Sequence, residues 1–306
     1  MRFFERHRLT ALATAAVLIV TLGGAALIGA AARADSVSQP APKVVATEEI
    51  DLAGFDAGRI ISDYSFFNAD AMTEDEVQAF LLSRSCQSVD DSPCLWEYRE
   101  STEGKPAEGA GHCAAYPGAE HERASRIISK VAEACGISPR VLLVLLQKEQ
   151  SLLSRPSESG YLRATGYGCP DTADCDAQYF GFFNQVYNAA WQFRQYTQEP
   201  DRTYQIGDVE VGYNPDAECG ASVVDIQNQA TANLYNYTPY QPNESTLVTS
   251  GVEGDGCAAY GNLNFWLFYT AWFGPADTDP YPQVFDECLN LAHGQPCRVP
   301  ELIPAL

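Results

Sequence analysis

The stretch Ser138-Pro139-Arg140-Val141-Leu142-Leu143-Val144-Leu145-Leu146-Gln147-Lys148-Glu149-Gln150-Ser151 decides how the rest of the chain is read. Ser138 and Pro139 suit a helix start. The serine hydroxyl accepts from a free backbone N–H, and proline's fixed φ fits the first turn, where its missing N–H costs nothing. The helix is expected to run to about Leu153. The run Val141 to Leu146 makes it apolar nearly all round, which places it in the middle of a domain. One residue is out of place. Glu149 comes seven residues after Leu142, four after Leu145 and three after Leu146, so it shares their face. Leu153 closes the stripe behind it. Burial among leucines disfavours the charged form of a carboxyl and favours the protonated form, which a general acid must hold. The bland alternative ends the helix early and turns Glu149 to water beside Gln147, Lys148 and Gln150.

Outward from this helix the pattern is mainly α, with a little β (α+β). On the N-terminal side, Glu120 to Cys135 carries Ala124, Ile127, Ile128, Val131 and Ala132 on one face, and Gly136 stops it. Thr73-Glu74-Asp75-Glu76 is a capping box opening a short helix with Val77, Phe80 and Leu81 on one face. On the C-terminal side a Gly-rich loop spans roughly Ser157 to Gln178, and a helix is expected over Gln185 to Gln198. Tyr204 to Val211 and Val223 to Ile226 read as strands, and Ala230 to Tyr235 as a helical turn. Asn264 to Phe273 reads as helical or buried. The expected organisation is an export segment at 1–34, a linker at 35–53, a small helical module at 54–118, a main domain at 119–274 and a Pro-rich tail at 275–306.

The export segment begins with Arg2, Arg6, His7 and Arg8, followed by an uncharged run from Leu9 to Ala32. Ala32-Arg33-Ala34 offers a cleavage site before Asp35. The apolar run is also long enough to span a bilayer, so a cleaved signal peptide and an uncleaved membrane anchor both stand. In either case the remainder is extracellular or at the cell surface, and the membrane is met only through this segment. From Asp35 on, 15 Lys+Arg stand against 39 Asp+Glu, a formal charge of −24. Such a field repels nucleic acid. All ten cysteines follow the export segment, as expected of disulfides in an oxidising compartment. Close spacing suggests Cys86–Cys94, Cys169–Cys175 and Cys288–Cys297, leaving Cys113–Cys135 and Cys219–Cys257. Spacing alone does not fix that pairing. No CxxC occurs and only His112, His121 and His293 remain, so neither a metal nor another cofactor is called for.

Two aromatic segments suit sugars, whose C–H faces stack on rings while their hydroxyls need directed partners. Tyr179 to Val186 offers Phe182, Phe183, Asn184 and Gln185. Ala232 to Tyr240 offers Tyr235, Asn236 and Tyr237. Many of these aromatics are equally at home in a core.

Ile137-Ser138-Pro139-Arg140 through Glu149-Gln150-Ser151 resembles the catalytic-helix region of the lysozyme-like superfamily, lytic transglycosylases above all. In that family the helix ends in a Glu-Ser pair whose Glu is the catalytic acid. Gly181 to Val186 resembles its Gly-Leu-Met-Gln segment, and Tyr235-Asn236 its Tyr-Asn motif, whose Tyr supports the glutamate. The likeness spans about 119–274 and extends to actinobacterial secreted proteins, some labelled haemagglutinin-like. Gln150 departs from the pattern, with Ser151 one position late, and Gly-Phe-Phe-Asn-Gln is one residue longer than the family segment.

The resemblance implies a disulfide-stapled lysozyme-like domain in which Glu149 protonates a glycosidic oxygen in peptidoglycan glycan strands. Hydrolysis by two carboxylates needs a partner. Asp171 is the first candidate, ahead of Asp174 and Asp176. A transglycosylase needs none. The competing class is a non-catalytic glycan-binding or adhesion module on the same fold. A Ser or Cys hydrolase has little support: there is no GxSxG, and the cysteines pair.

Overall fold

The computed structural model describes residues 51–109, 111–170, 174–199, 202–248 and 254–279. The export segment, most of the linker, Asp171 and the tail from Pro280, with Cys288 and Cys297, lie outside the described residues. In chain order come α1 (Asp63–Phe67), α2 (Glu74–Leu82), β1 (Arg99–Glu100), β2 (Glu122–Arg123), α3 (Ala124–Cys135) and α4 (Pro139–Gln150). There follow α5 (Glu158–Leu162), α6 (Phe182–Gln198), β3 (Gly207–Gly212), β4 (Ala221–Ile226), α7 (Gln229–Tyr237), α8 (Glu244–Val248) and α9 (Gly261–Phe273). The fold is therefore helix-rich, with two small antiparallel sheets: β1 pairs with β2, and β3 with β4. Among the described residues no helix is long and apolar enough to cross a membrane.

The central helix lies where its composition requires. In α4 every residue from Val141 to Leu146 is buried, and the helix packs against α3 and α9. Each such aliphatic side chain contributes roughly 1.5–3 kcal/mol on burial, largely offset by the entropy of ordering the chain. Ile60, Phe66, Phe67 and Val77 from the N-terminal segment belong to the same core as α3, α4, α6 and α7. Ser138 caps α4 by accepting from the Arg140 amide. Thr73 and Glu76 form the capping box of α2.

Boundaries shift for physical reasons. The helix expected from Glu120 starts at Ala124, because Glu122 and Arg123 pair with Arg99 and Glu100 as β2. Glu122 is buried, and one of its carboxylate oxygens accepts from Lys130 Nζ at 2.5 Å and Arg126 Nε at 3.2 Å. The other accepts from the Tyr116 hydroxyl at 2.8 Å and from Thr102 Oγ1. The helix expected to reach Leu153 stops at Gln150. Ser151 takes the left-handed conformation, φ 52°, and its amide bonds back to the Gln147 carbonyl.

Four disulfides join Cys86–Cys94, Cys113–Cys135, Cys169–Cys175 and Cys219–Cys257, and none of the described cysteines is free. Four such bonds suit an oxidising compartment outside the cytoplasm.

Candidate functional site

The candidate site is built on the last turn of α4, which carries Lys148 and Glu149. Ser151 turns the chain away immediately behind it, leaving Lys148 and Glu149 at a helix end where carbonyls favour a cation. The Glu149 side chain is 23 % exposed, neither buried with the leucines nor fully in water. Its Oε1 accepts from the Lys148 ammonium, whose side chain is only 6 % exposed. Lys148 Nζ also donates to Thr238 Oγ1 at 3.0 Å.

A turn after α5 faces the carboxylate from the other side. Gly166 lies against Glu149 with φ 72°, and a Cβ added there would stand 3.4 Å from Oε2. Gln185 holds this turn. Its Oε1 accepts from the amides of Thr165 at 3.2 Å and Tyr167 at 3.1 Å. Its Nε2 donates to the carbonyls of Tyr167 at 2.9 Å and Tyr179 at 2.8 Å. From α7 the hydroxyl of Tyr237 donates to the Thr165 carbonyl at 2.8 Å. Burial first, and then the charge of Glu149, keep that phenol well above its ordinary pKa.

Two groups of residues singled out from sequence are therefore separated. Phe182, Phe183, Gln185 and Tyr235 are buried. Phe182 packs on Tyr98 and Tyr161, and Phe183 on Tyr116 and Tyr187. The Tyr235 hydroxyl donates to the Ala57 carbonyl at 2.9 Å, so it does not support Glu149. These four build the scaffold and offer no face to a ligand in this conformation. Asn184, Asn236 and Tyr237 are half-buried. Asn184 turns back to the Phe180 carbonyl, and Asn236 Nδ2 donates to the carbonyls of Tyr204 and Ala232. Of the seven, Tyr237 feels the Glu149 charge directly. Asp174 and Asp176 are exposed, Asp176 capping a 3₁₀ turn.

The helix expected from Gln185 begins three residues earlier, at Phe182, so Phe182, Phe183, Asn184 and Gln185 form the first turn of α6. Gly181, φ 104°, opens that helix, and Glu100 accepts from the Phe183 amide at 3.0 Å. Burial raises the Glu100 pKa against the pull of that bond.

Sequence reasoning missed Lys148, Thr165, Gly166 and Thr238. Lys148 alone carried a signal, as a cation adjoining the odd glutamate in the last turn. Among the described residues no group of three or more His, Cys, Asp or Glu side chains is placed to hold a metal.

No curated protein and no solved structure matches the chain. Residues 59–278 match the family model described as the LasA N-terminal domain. That match covers the main helices, the Glu149 site and all four described disulfides, and the chain belongs to the LasA N-terminal-domain family.

Proposed function

We propose that this chain is an exported enzyme that cleaves peptidoglycan glycan strands, as a lytic transglycosylase or glycosidase, with Glu149 as its general acid and base. Membership of a family associated with secreted, cell-wall-active enzymes supports the wall as the site of action. The observation that carries the chemistry is the setting of Glu149. It is a partly exposed carboxylate at the end of a buried helix, held from one side by Lys148 and faced from the other by Gly166.

In the transglycosylase route Glu149 gives its proton to the glycosidic oxygen as the C1–O bond breaks. It then takes the proton of the sugar's own 6-hydroxyl as that oxygen closes on C1. One carboxyl serves both steps, so the route stands without Asp171. The lysozyme-like assignment of 119–274 belongs to this proposal. So do sugar contacts by Asn184, Asn236 and Tyr237, and the tether that an uncleaved 1–34 segment would supply.

One observation favours a second reading. Lys148 already partners Glu149 Oε1, a pairing that a purely structural carboxylate would also make. A non-catalytic glycan-binding module would keep this pair and release nothing. Release of soluble muropeptides from purified walls by the wild type, lost in Glu149→Gln, supports cleavage; binding without release by both forms supports the module.

A further inference from the structure

The Glu149 carboxylate is held asymmetrically. Oε1 accepts from Lys148, whereas Oε2 accepts no hydrogen bond among the described residues and lies alongside Gly166. Neighbouring residues on a helix point about 100° apart, so a pair at i and i+1 does not form by default. Here it forms because the ammonium is placed from outside its own helix. Thr238, the C-cap of α7, accepts from Lys148 Nζ at 3.0 Å. Thr238 is itself fixed from α9, where Asn262 Nδ2 donates to its carbonyl at 2.8 Å. Gly261 lies so close beneath it that an added Cβ would come within 2.5 Å of Thr238 Cγ2. Three elements converge on one cation, and Glu149 is its anionic partner.

We infer that Lys148 is the positioning residue of Glu149: clamped by Thr238, its ammonium fixes Oε1 and so presents Oε2, on the Gly166 side, as the oxygen that meets a ligand. The inference rests on the reading of Glu149 as the reacting carboxyl. It adds which oxygen works and what holds it. In this arrangement the proton given to and taken from the sugar travels through Oε2, while Oε1 keeps its bond to Lys148 throughout.

The chain has four lysines, Lys43, Lys105, Lys130 and Lys148, so their ¹⁵N ammonium signals are few enough to assign by single substitution. The exported chain is expected to show slowed hydrogen exchange at the Lys148 ammonium. That protection is expected to be lost in Thr238→Val and in Glu149→Gln. The Lys130 signal, held by Glu122, should persist in both and so report an intact fold. A Lys148 signal that exchanges in the wild type as fast as a free lysine amine, or is unmoved by either substitution, overturns the inference.

A second arm uses soluble glycan strands. Lys148→Met is expected to lower kcat about 100-fold, as a misplaced reacting group does, with KM near the wild-type value and partial rescue in Lys148→Arg. An unchanged kcat overturns the positioning role. An inert wild type overturns the cleavage reading instead, and the ammonium spectra still decide whether the clamp exists.

Discussion

Gln185 and Thr165 are joined through backbone and side chain alike: the Thr165 amide donates to Gln185 Oε1 at 3.2 Å, and the Thr165 hydroxyl donates to the Gln185 carbonyl at 2.9 Å and reaches Gln185 Oε1 at 3.3 Å. Both residues are buried. Through this connection α6 fixes the turn that brings Gly166 against Glu149, although neither Gln185 nor Thr165 bonds to that carboxylate.

Replacing Gln185 with leucine strands the amides of Thr165 and Tyr167 and the carbonyls of Tyr167 and Tyr179 in the interior. Buried polar groups without partners are costly, so the substitution is expected to destabilise the protein by about 3 kcal/mol or more. Equilibrium denaturation measures this, and a loss below about 1 kcal/mol would show that the turn holds itself.

The Glu122 cluster carries a separate prediction. Burial alone would raise its pKa, but the hydrogen bonds from Lys130, Thr102 and Tyr116 and the Lys130 charge outweigh that and hold it below the usual glutamate value. A depressed folded value means the stabilisation is complete above the unfolded pKa, 4.5, and is lost as pH falls through the folded one. Glu122→Gln is expected to cost about 3–5 kcal/mol at neutral pH, as broken buried ion pairs do. The gap from wild type should close on acidification. A gap that does not change with pH would contradict this account.

His112 works in a nearer pH window. It is buried beside Trp191, and burial, aided by the Arg194 guanidinium, lowers its pKa against the opposing pull of Gln195 and Glu108. The fold therefore favours the neutral ring, and stability is lost as pH falls below the unfolded value of 6.5. The slope is bounded at about 1.4 kcal/mol per pH unit for one proton. Glu100, raised by burial, acts in the opposite sense, which is why the comparison needs a variant. His112→Asn preserves an acceptor for the Cys113 amide, which His112 Nδ1 now receives at 2.8 Å. Melting curves between pH 7 and 5 should show a shallower decline in the variant, and parallel declines would remove His112 from the explanation.

The fold was legible wherever a local pattern matched a local cause. The apolar run Val141–Leu146, the Ser138 cap, the Thr73 capping box and the Gly136 stop are set by neighbours in sequence, and all are present. Close spacing likewise pointed to Cys86–Cys94 and Cys169–Cys175, which form; Cys113–Cys135 and Cys219–Cys257, left as the remainder, form as well. What stayed hidden depends on distant partners. Nothing near Glu122 says that Arg99 and Glu100 will pair with it as a strand, and nothing near Gly181 says that Glu100 will accept from the first turn of α6. The same holds at the site. Glu149 stood out by spacing, but the clamp on its neighbour comes from Thr238, 90 residues away. The aromatics Phe182, Phe183 and Tyr235 went to packing because the core needed their bulk more than a sugar surface did.

The measurement that tests the central claim most directly is muropeptide release from purified cell walls, with products identified by mass spectrometry, for the wild-type exported chain and Glu149→Gln. A general acid contributes about 10²–10⁴-fold, so release is expected to fall by at least about 100-fold in the variant, and 1,6-anhydro products from the wild type would mark the transglycosylase route. Release that survives Glu149→Gln unchanged would contradict the assignment of Glu149, and absence of release by the folded wild type would contradict cleavage itself.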